Sequence, residues 1–177
     1  MIFRSLKLEG AFLIVPEPHE DERGFLARTF CKQEYESHGL VHDFVQCNIS
    51  YNEKTGTLRG MHYQEPPHAE VKIVRCTRGA VFDVIVDIRR DSVTYAQWHG
   101  LELSESNRHM LYVPQGFAHG FVTLADATEV FYMMSEVYDP GSARVLCWND
   151  PVVDIAWPIE PGIISPRDQS GDVLPRL

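Results

Sequence analysis

Five stretches of this chain concentrate side chains able to do chemistry. Leu58-Arg59-Gly60-Met61-His62-Tyr63-Gln64 carries an imidazole, and Lys72 follows it ten residues later. Tyr112-Val113-Pro114-Gln115-Gly116-Phe117-Ala118-His119-Gly120-Phe121 carries a second one, and its P-x-G-x-x-H pattern reads as a turn followed by a strand that projects a histidine. A lone histidine is most often a satisfied, half-buried side chain. Two of them on turn-bounded strands weigh toward a site, as metal ligands or as acid–base groups. Tyr132, with Tyr138 six residues on, adds phenols that an amphipathic strand would carry at a rim. On spacing alone, Ser165-Pro166-Arg167-Asp168 reads as a solvated loop with an Arg–Asp neighbour pair, and Asp21-Glu22-Arg23-Gly24-Phe25 as a charged turn.

The elements that must hold these groups are strands. Val71–Cys76 alternates apolar and polar positions, and Ala80–Ile88 is rich in β-branched residues and alternates around Asp83 and Asp87. Met110–Val113 and Thr128–Met134 look similar. Turn signals separate them, at Thr77-Arg78-Gly79, Ser104–Asn107, Pro114-Gln115-Gly116, Asp139-Pro140-Gly141 and Asn149-Asp150-Pro151. Helix is scarce, the best candidate being Lys32–Ser37 with Gly39 as its C-terminal stop. Many short strands without strand–helix alternation predict an all-β sandwich or barrel. In a small barrel the inward side chains of such strands line one cavity. No internal repeat or linker divides residues 1–177, which predicts a single domain.

The composition limits the partners. The chain has 177 residues, 44% hydrophobic and 23% charged, an ordinary globular balance. Sixteen Lys+Arg against 25 Asp+Glu give a net charge of −9, which argues against a general nucleic-acid binder and against docking on anionic lipid. The N-terminal residues carry no secretory signal pattern, and the strongest apolar run, Ala80–Ile88, is short and interrupted by Asp. Cys31, Cys47, Cys76 and Cys147 lie far apart with no C-x-x-C pair, so free thiols in a reducing cytoplasm are expected.

Metal binding is the first alternative to acid–base chemistry. P-G-x-x-H is a common second motif of cupin barrels, which usually hold metal through an H-x-H pair, a Glu and a later His. Here the first motif reads His62-Tyr63-Gln64, so the H-x-H pair is absent, and a catalytic metal normally needs at least three protein ligands. His68 and Glu70 are the substitutes that a metal-dependent cupin using His62 and His119 would need.

Taken together, the blocks resemble the dTDP-4-dehydrorhamnose 3,5-epimerase family from about Leu8 to Asp168. The matching blocks are Asp21-x-Arg23-Gly24-Phe25, Gln46-x-Asn48-x-Ser50, Leu58–Gln64, Lys72–Arg75, Gly79–Val84, Val86–Arg89, Pro114-x-Gly116-x-Ala118-His119-Gly120-Phe121, Trp148-Asn149-Asp150-Pro151 and Ile155-Ala156-Trp157-Pro158. Each is weak alone, and their joint order and spacing are specific. The resemblance implies a cupin-type jelly-roll barrel working without a metal or organic cofactor on a nucleotide diphosphate sugar. It also implies a homodimer in which Arg23 reaches into the partner's site. It assigns His62 as the base, Asp168 as its orienting carboxylate, Tyr132 as the acid on the opposite face and Lys72 as the cation beside the C4 oxygen. Gln46, Asn48, Arg59, His119, Tyr138 and Arg167, with Arg23, would contact the substrate.

Those roles also make chemical sense. Removing a proton next to a ketone places negative charge on the carbonyl oxygen, where a nearby cation stabilises the enolate. Imidazole suits general-base work near neutral pH, contributing roughly 10²–10⁴-fold in rate. Inversion requires the proton to return from the other face, hence a second group. Guanidinium groups chelate phosphate oxygens in bidentate fashion.

Two positions depart from the family pattern. Arg28 stands where the family usually has a Glu, and Gly141-Ser142-Ala143-Arg144 lacks the Glu often found after the Tyr-x-Pro segment. The nucleotide therefore stays open between dTDP, CDP and other diphosphates, as does inversion at C3, at C5 or at both. A non-catalytic sugar-nucleotide-binding barrel is the remaining alternative.

Overall fold

The computed structural model describes residues 1–175. Along the chain run β1 (Ile2–Ser5), β2 (Phe12–Val15), β3 (His19–Asp21), β4 (Gly24–Leu26), α1 (Lys32–Ser37), β5 (Gln46–Asn52), β6 (Thr57–Gln64) and β7 (Lys72–Arg78). They are followed by β8 (Ala80–Asp87), β9 (Trp98–Ser104), β10 (Met110–Val113), β11 (Phe117–Thr123), β12 (Thr128–Met134), β13 (Ala143–Val145), β14 (Ile163–Ile164) and α2 (Pro166–Gln169). One sheet has the order β1-β2-β10-β7-β12-β5 and the other β13-β6-β11-β8-β9, with β14 added beside β6; β3 and β4 form a separate hairpin. The two sheets pack face to face as an antiparallel jelly-roll. Val74, Leu111, Val113 and Val130 from the first meet Val81, Ile85, Leu103, Phe117 and Phe121 from the second in one buried cluster. Among the described residues, no helix is long and apolar enough to cross a membrane.

The strands read from Met110–Val113 and Thr128–Met134 have those bounds in the fold, as does the helix Lys32–Ser37. Gly39, at φ +68°, follows that helix, and Gly116, at φ +77°, makes the turn into β11. All four cysteines are free thiols.

The alternation expected around Asp83 and Asp87 does not hold, because both carboxylates are fully buried. β8 is covered on both faces, by the inter-sheet core through Val81 and Ile85 and by the 146–157 segment through Val84 and Val86. Burial is tolerable because each carboxylate is satisfied. Asp87 accepts from Arg89, Ser92 and Thr94 at 2.6–3.0 Å, and Asp83 is paired with His119.

A bulge sets the orientation of the first chemical motif. β11 pairs with β6 at His119↔His62 and then at Phe121↔Arg59, so the register slips between those pairs. Side chains three apart on a regular strand point to opposite faces. The extra residue in β6 instead lets Arg59 and His62 line the same cavity. The bulge needs glycine, since Gly60 has φ +140° and a Cβ there would lie 2.5 Å from the Gly120 Cα and 3.1 Å from the His119 carbonyl oxygen. Gly60→Ala should therefore lose about 1–3 kcal/mol from backbone conformation alone, with the overlap adding to it. Gly162→Ala, whose Cβ would meet nothing within 4 Å, should stay near wild type in urea unfolding.

Candidate active site

A cavity of about 490 Å³ opens between the sheets. Gln46 and Asn48 of β5, Lys72 of β7 and Tyr132 of β12 form one wall; Arg59 and His62 of β6 and His119 of β11 form the other. Tyr138, Arg144 and Arg167 also line it. Strands far apart in sequence thus gather ten of the eleven side chains singled out above, nine in the lining and Asp168 just behind it.

Asp168 corrects the loop reading of its segment. Residues 166–169 form a helical turn whose start is fixed by Pro166 and by the Ser165 hydroxyl, which accepts from the Asp168 N–H at 3.1 Å. The turn buries the Asp168 side chain to 6% exposure against β6. Its Oδ1 lies 2.7 Å from His62 Nε2, and its Oδ2 accepts from the Gly60 N–H at 3.3 Å. Arg167 is not its partner and instead donates to the Tyr138 hydroxyl at 3.3 Å. Burial pushes the Asp168 carboxyl up, but the hydrogen bond and charge of His62, with the Gly60 donor, outweigh it and hold the group below its ordinary 3.8. An ionised carboxylate only accepts, so in the neutral ring the proton of His62 sits at Nε2 and Nδ1 keeps its lone pair. Nδ1 is the ring nitrogen free to take a proton.

Tyr132 stands across the cavity on the other sheet. Burial pushes its phenol above 10, partly countered by the Arg59 charge, so it holds its proton at neutral pH. Lys72 is buried, 2.8 Å from Glu70 Oε1, and donates to the His62 carbonyl oxygen at 3.2 Å. His119 is clamped by both Asp83 oxygens at 3.0 Å. Arg59 is braced by Asn52 Oδ1 at 2.7 Å, and Gln46 accepts from the Tyr138 N–H at 3.0 Å while donating to Asn48 at 3.3 Å.

Arg23 is not brought into this cavity. It sits on the β3–β4 hairpin, 84% exposed and paired with Asp21. Arg28 likewise lies outside the lining, paired with Glu34 at 2.7 Å. Asp83, the buried partner of His119, is not marked as a site residue by the sequence, and Glu70, which lines the cavity as the partner of Lys72, enters there only as a substitute metal ligand. Asp83 was visible as a carboxylate inside an apolar strand, but its pairing with His119 exists only through the β8–β11 register. Among the described residues, no three His, Cys, Asp or Glu side chains are grouped as a metal ion would need.

The fold and the site define a cupin-like β-barrel enzyme of the carbohydrate-epimerase class. The family model described as dTDP-4-dehydrorhamnose 3,5-epimerase matches residues 5–175. The Methanothermobacter thermautotrophicus enzyme of that name is 43% identical, over 95% of this chain and 92% of its own. The crystal structure of the Bacillus anthracis enzyme with TDP and PPi bound superposes with a TM-score of 0.94 at 40% identity, covering 98% of this chain and 99% of that one. The Legionella pneumophila enzyme in complex with dTDP-4-keto-L-rhamnose gives 0.91 at 36% identity, covering 97% and 92%. The chain belongs to the dTDP-4-dehydrorhamnose 3,5-epimerase family.

Because folding lowers the Asp168 pKa, the group binds fewer protons in the native state and stabilises it above the unfolded value. That contribution should be complete above about pH 5 and fade as pH falls through the native pKa, below about 4. Urea unfolding across this range should show the margin of wild type over Asp168→Asn shrinking toward acid. A margin that stays constant with pH would contradict the lowered pKa.

Proposed function

We propose that this chain epimerises a nucleotide-linked 4-keto-6-deoxy sugar, converting dTDP-4-dehydro-6-deoxyglucose toward dTDP-4-dehydrorhamnose without a metal or organic cofactor. The observation that carries the reading is the placement of a carboxylate-oriented imidazole and a protonated phenol on opposite walls of one cavity. A sugar ring between them would present one face of the reacting carbon to His62 Nδ1 and the other to Tyr132. His62 removes the proton beside the ketone, and its ring becomes an imidazolium that Asp168 stabilises. Electron density moves onto the C4 oxygen, where the Lys72 ammonium offsets it. Tyr132 then gives its proton to the opposite face, which inverts the centre.

Arg59 and Arg167 bind the diphosphate, and Gln46, Asn48, His119 and Tyr138 hold the sugar and nucleoside. The dTDP ligand class is supported by the TDP and dTDP-sugar held by the Bacillus and Legionella relatives. The chain acts as a single domain in the cytoplasm and pairs as a homodimer. In that dimer Arg23, exposed on the β3–β4 hairpin and outside the lining of its own cavity, completes the partner's.

Incubation with the dTDP-4-keto sugar in heavy water should place deuterium at the inverted carbons. His62→Ala should abolish uptake while dTDP affinity stays within about threefold, since His62 acts on the sugar. Uptake at the wild-type rate in that variant would remove His62 from the base role. The dimer arrangement has its own test. Mixed dimers of His62→Ala and Arg23→Ala chains should recover activity, because one site per dimer then holds both residues. No recovery would place Arg23 outside the partner's site.

A further inference from the structure

Two acceptors on two different elements hold the Lys72 ammonium. It lies 2.8 Å from Glu70 Oε1 and donates to the His62 carbonyl oxygen at 3.2 Å. An ammonium has three N–H donors and no acceptor. The His62 carbonyl takes one and the Glu70 ion pair occupies a second side of the group, which leaves a third side for the cavity that Lys72 lines.

Glu70 is the member that needs explaining. Its side chain is only 4% exposed, and a buried carboxylate is costly unless paired. Lys72 is its one polar partner among the described residues, and Oε2 is buried with no hydrogen bond at all. The side chain therefore caps no helix and ties down no loop. Glu70 borders the same cavity, and a carboxylate buried there with one oxygen orphaned, whose single polar contact is to the cavity lysine, is accounted for by what it does to that lysine.

We propose that Glu70 is a positioning residue of the epimerase reaction: together with the His62 carbonyl it fixes the rotation of the Lys72 ammonium, so that the third N–H points at the oxygen that becomes the enolate oxygen. The inference rests on the epimerase reading above. A lysine stem is flexible, and an ammonium with a single acceptor swings about it. A donor held ready for developing charge is worth roughly 10²–10³-fold in kcat. Since that charge exists only in the transition state, losing Glu70 should lower kcat and leave dTDP affinity unchanged.

The experiment compares deuterium uptake in wild type, Glu70→Ala, Glu70→Gln, Lys72→Gln and the double variant Glu70→Ala/Lys72→Gln. Glu70→Ala should lose about 10²-fold in kcat at unaltered dTDP affinity, and Glu70→Gln, which keeps an acceptor, should return to within about fivefold of wild type. The double variant carries no unpaired buried charge and therefore folds even if Glu70→Ala alone does not. It should be no slower than Lys72→Gln, because Glu70 acts only through Lys72. Wild-type exchange combined with a Glu70→Ala kcat within about twofold of normal would overturn the inference alone. So would a Glu70→Gln protein as slow as Lys72→Gln, or a double variant at least about tenfold slower than Lys72→Gln. No exchange in wild type would overturn the epimerase reading, and the inference with it.

Discussion

The contact between Asp168 and β6 is the constraint on which the site depends. One carboxylate oxygen orients His62, and the other takes the Gly60 N–H within the bulge that turns Arg59 and His62 to the same side. A side chain 106 positions from His62 in sequence thereby fixes both the tautomer of the base and the strand that carries it. The contact forms only because Gly60 and Gly120 let β6 and β11 approach to backbone distance, and because the capped turn at 166–169 delivers a buried carboxylate to that point. The orientation of His62 depends on all three of these features.

The two-sheet architecture supplies the second requirement of an inverting reaction. One sheet carries His62, Arg59 and His119, and the other carries Tyr132, Lys72, Gln46 and Asn48. Proton removal and return on opposite faces then need no movement of either catalytic group, only a ring held between them. The net charge of −9 describes the exterior, while Arg59, Lys72 and Arg167 converge on one cavity able to take an anionic ligand. A small cationic pocket in an acidic protein favours a compact diphosphate over an extended polyanion.

Strand identity was legible where a single property decided it. Met110–Val113 and Thr128–Met134 are short apolar runs between clear turns, and local signals were enough. The motif histidines were legible because glycine and proline mark the turns that present them. What failed did so for tertiary reasons. Asp83 and Asp87 look like a solvent face, yet they share the inner face of β8 with Val81 and Ile85, and hydrogen bonds to groups distant in the strand pattern satisfy both. Ser165–Asp168 reads as a loop because a four-residue helix has no periodicity to detect, and its value lies in docking against β6. The bulge beside Gly60 leaves no trace in periodicity, and without it Arg59 would be assigned to the wrong face.

The central claim is that His62 and Tyr132 act on opposite faces of one ring. The most direct measurement follows Tyr132→Phe with the dTDP-4-keto sugar in heavy water, analysing recovered substrate and product separately. The account predicts that His62 still removes the proton, so deuterium appears in recovered substrate of unchanged configuration while inverted product is lost. Inverted, deuterium-labelled product at the wild-type rate would contradict it.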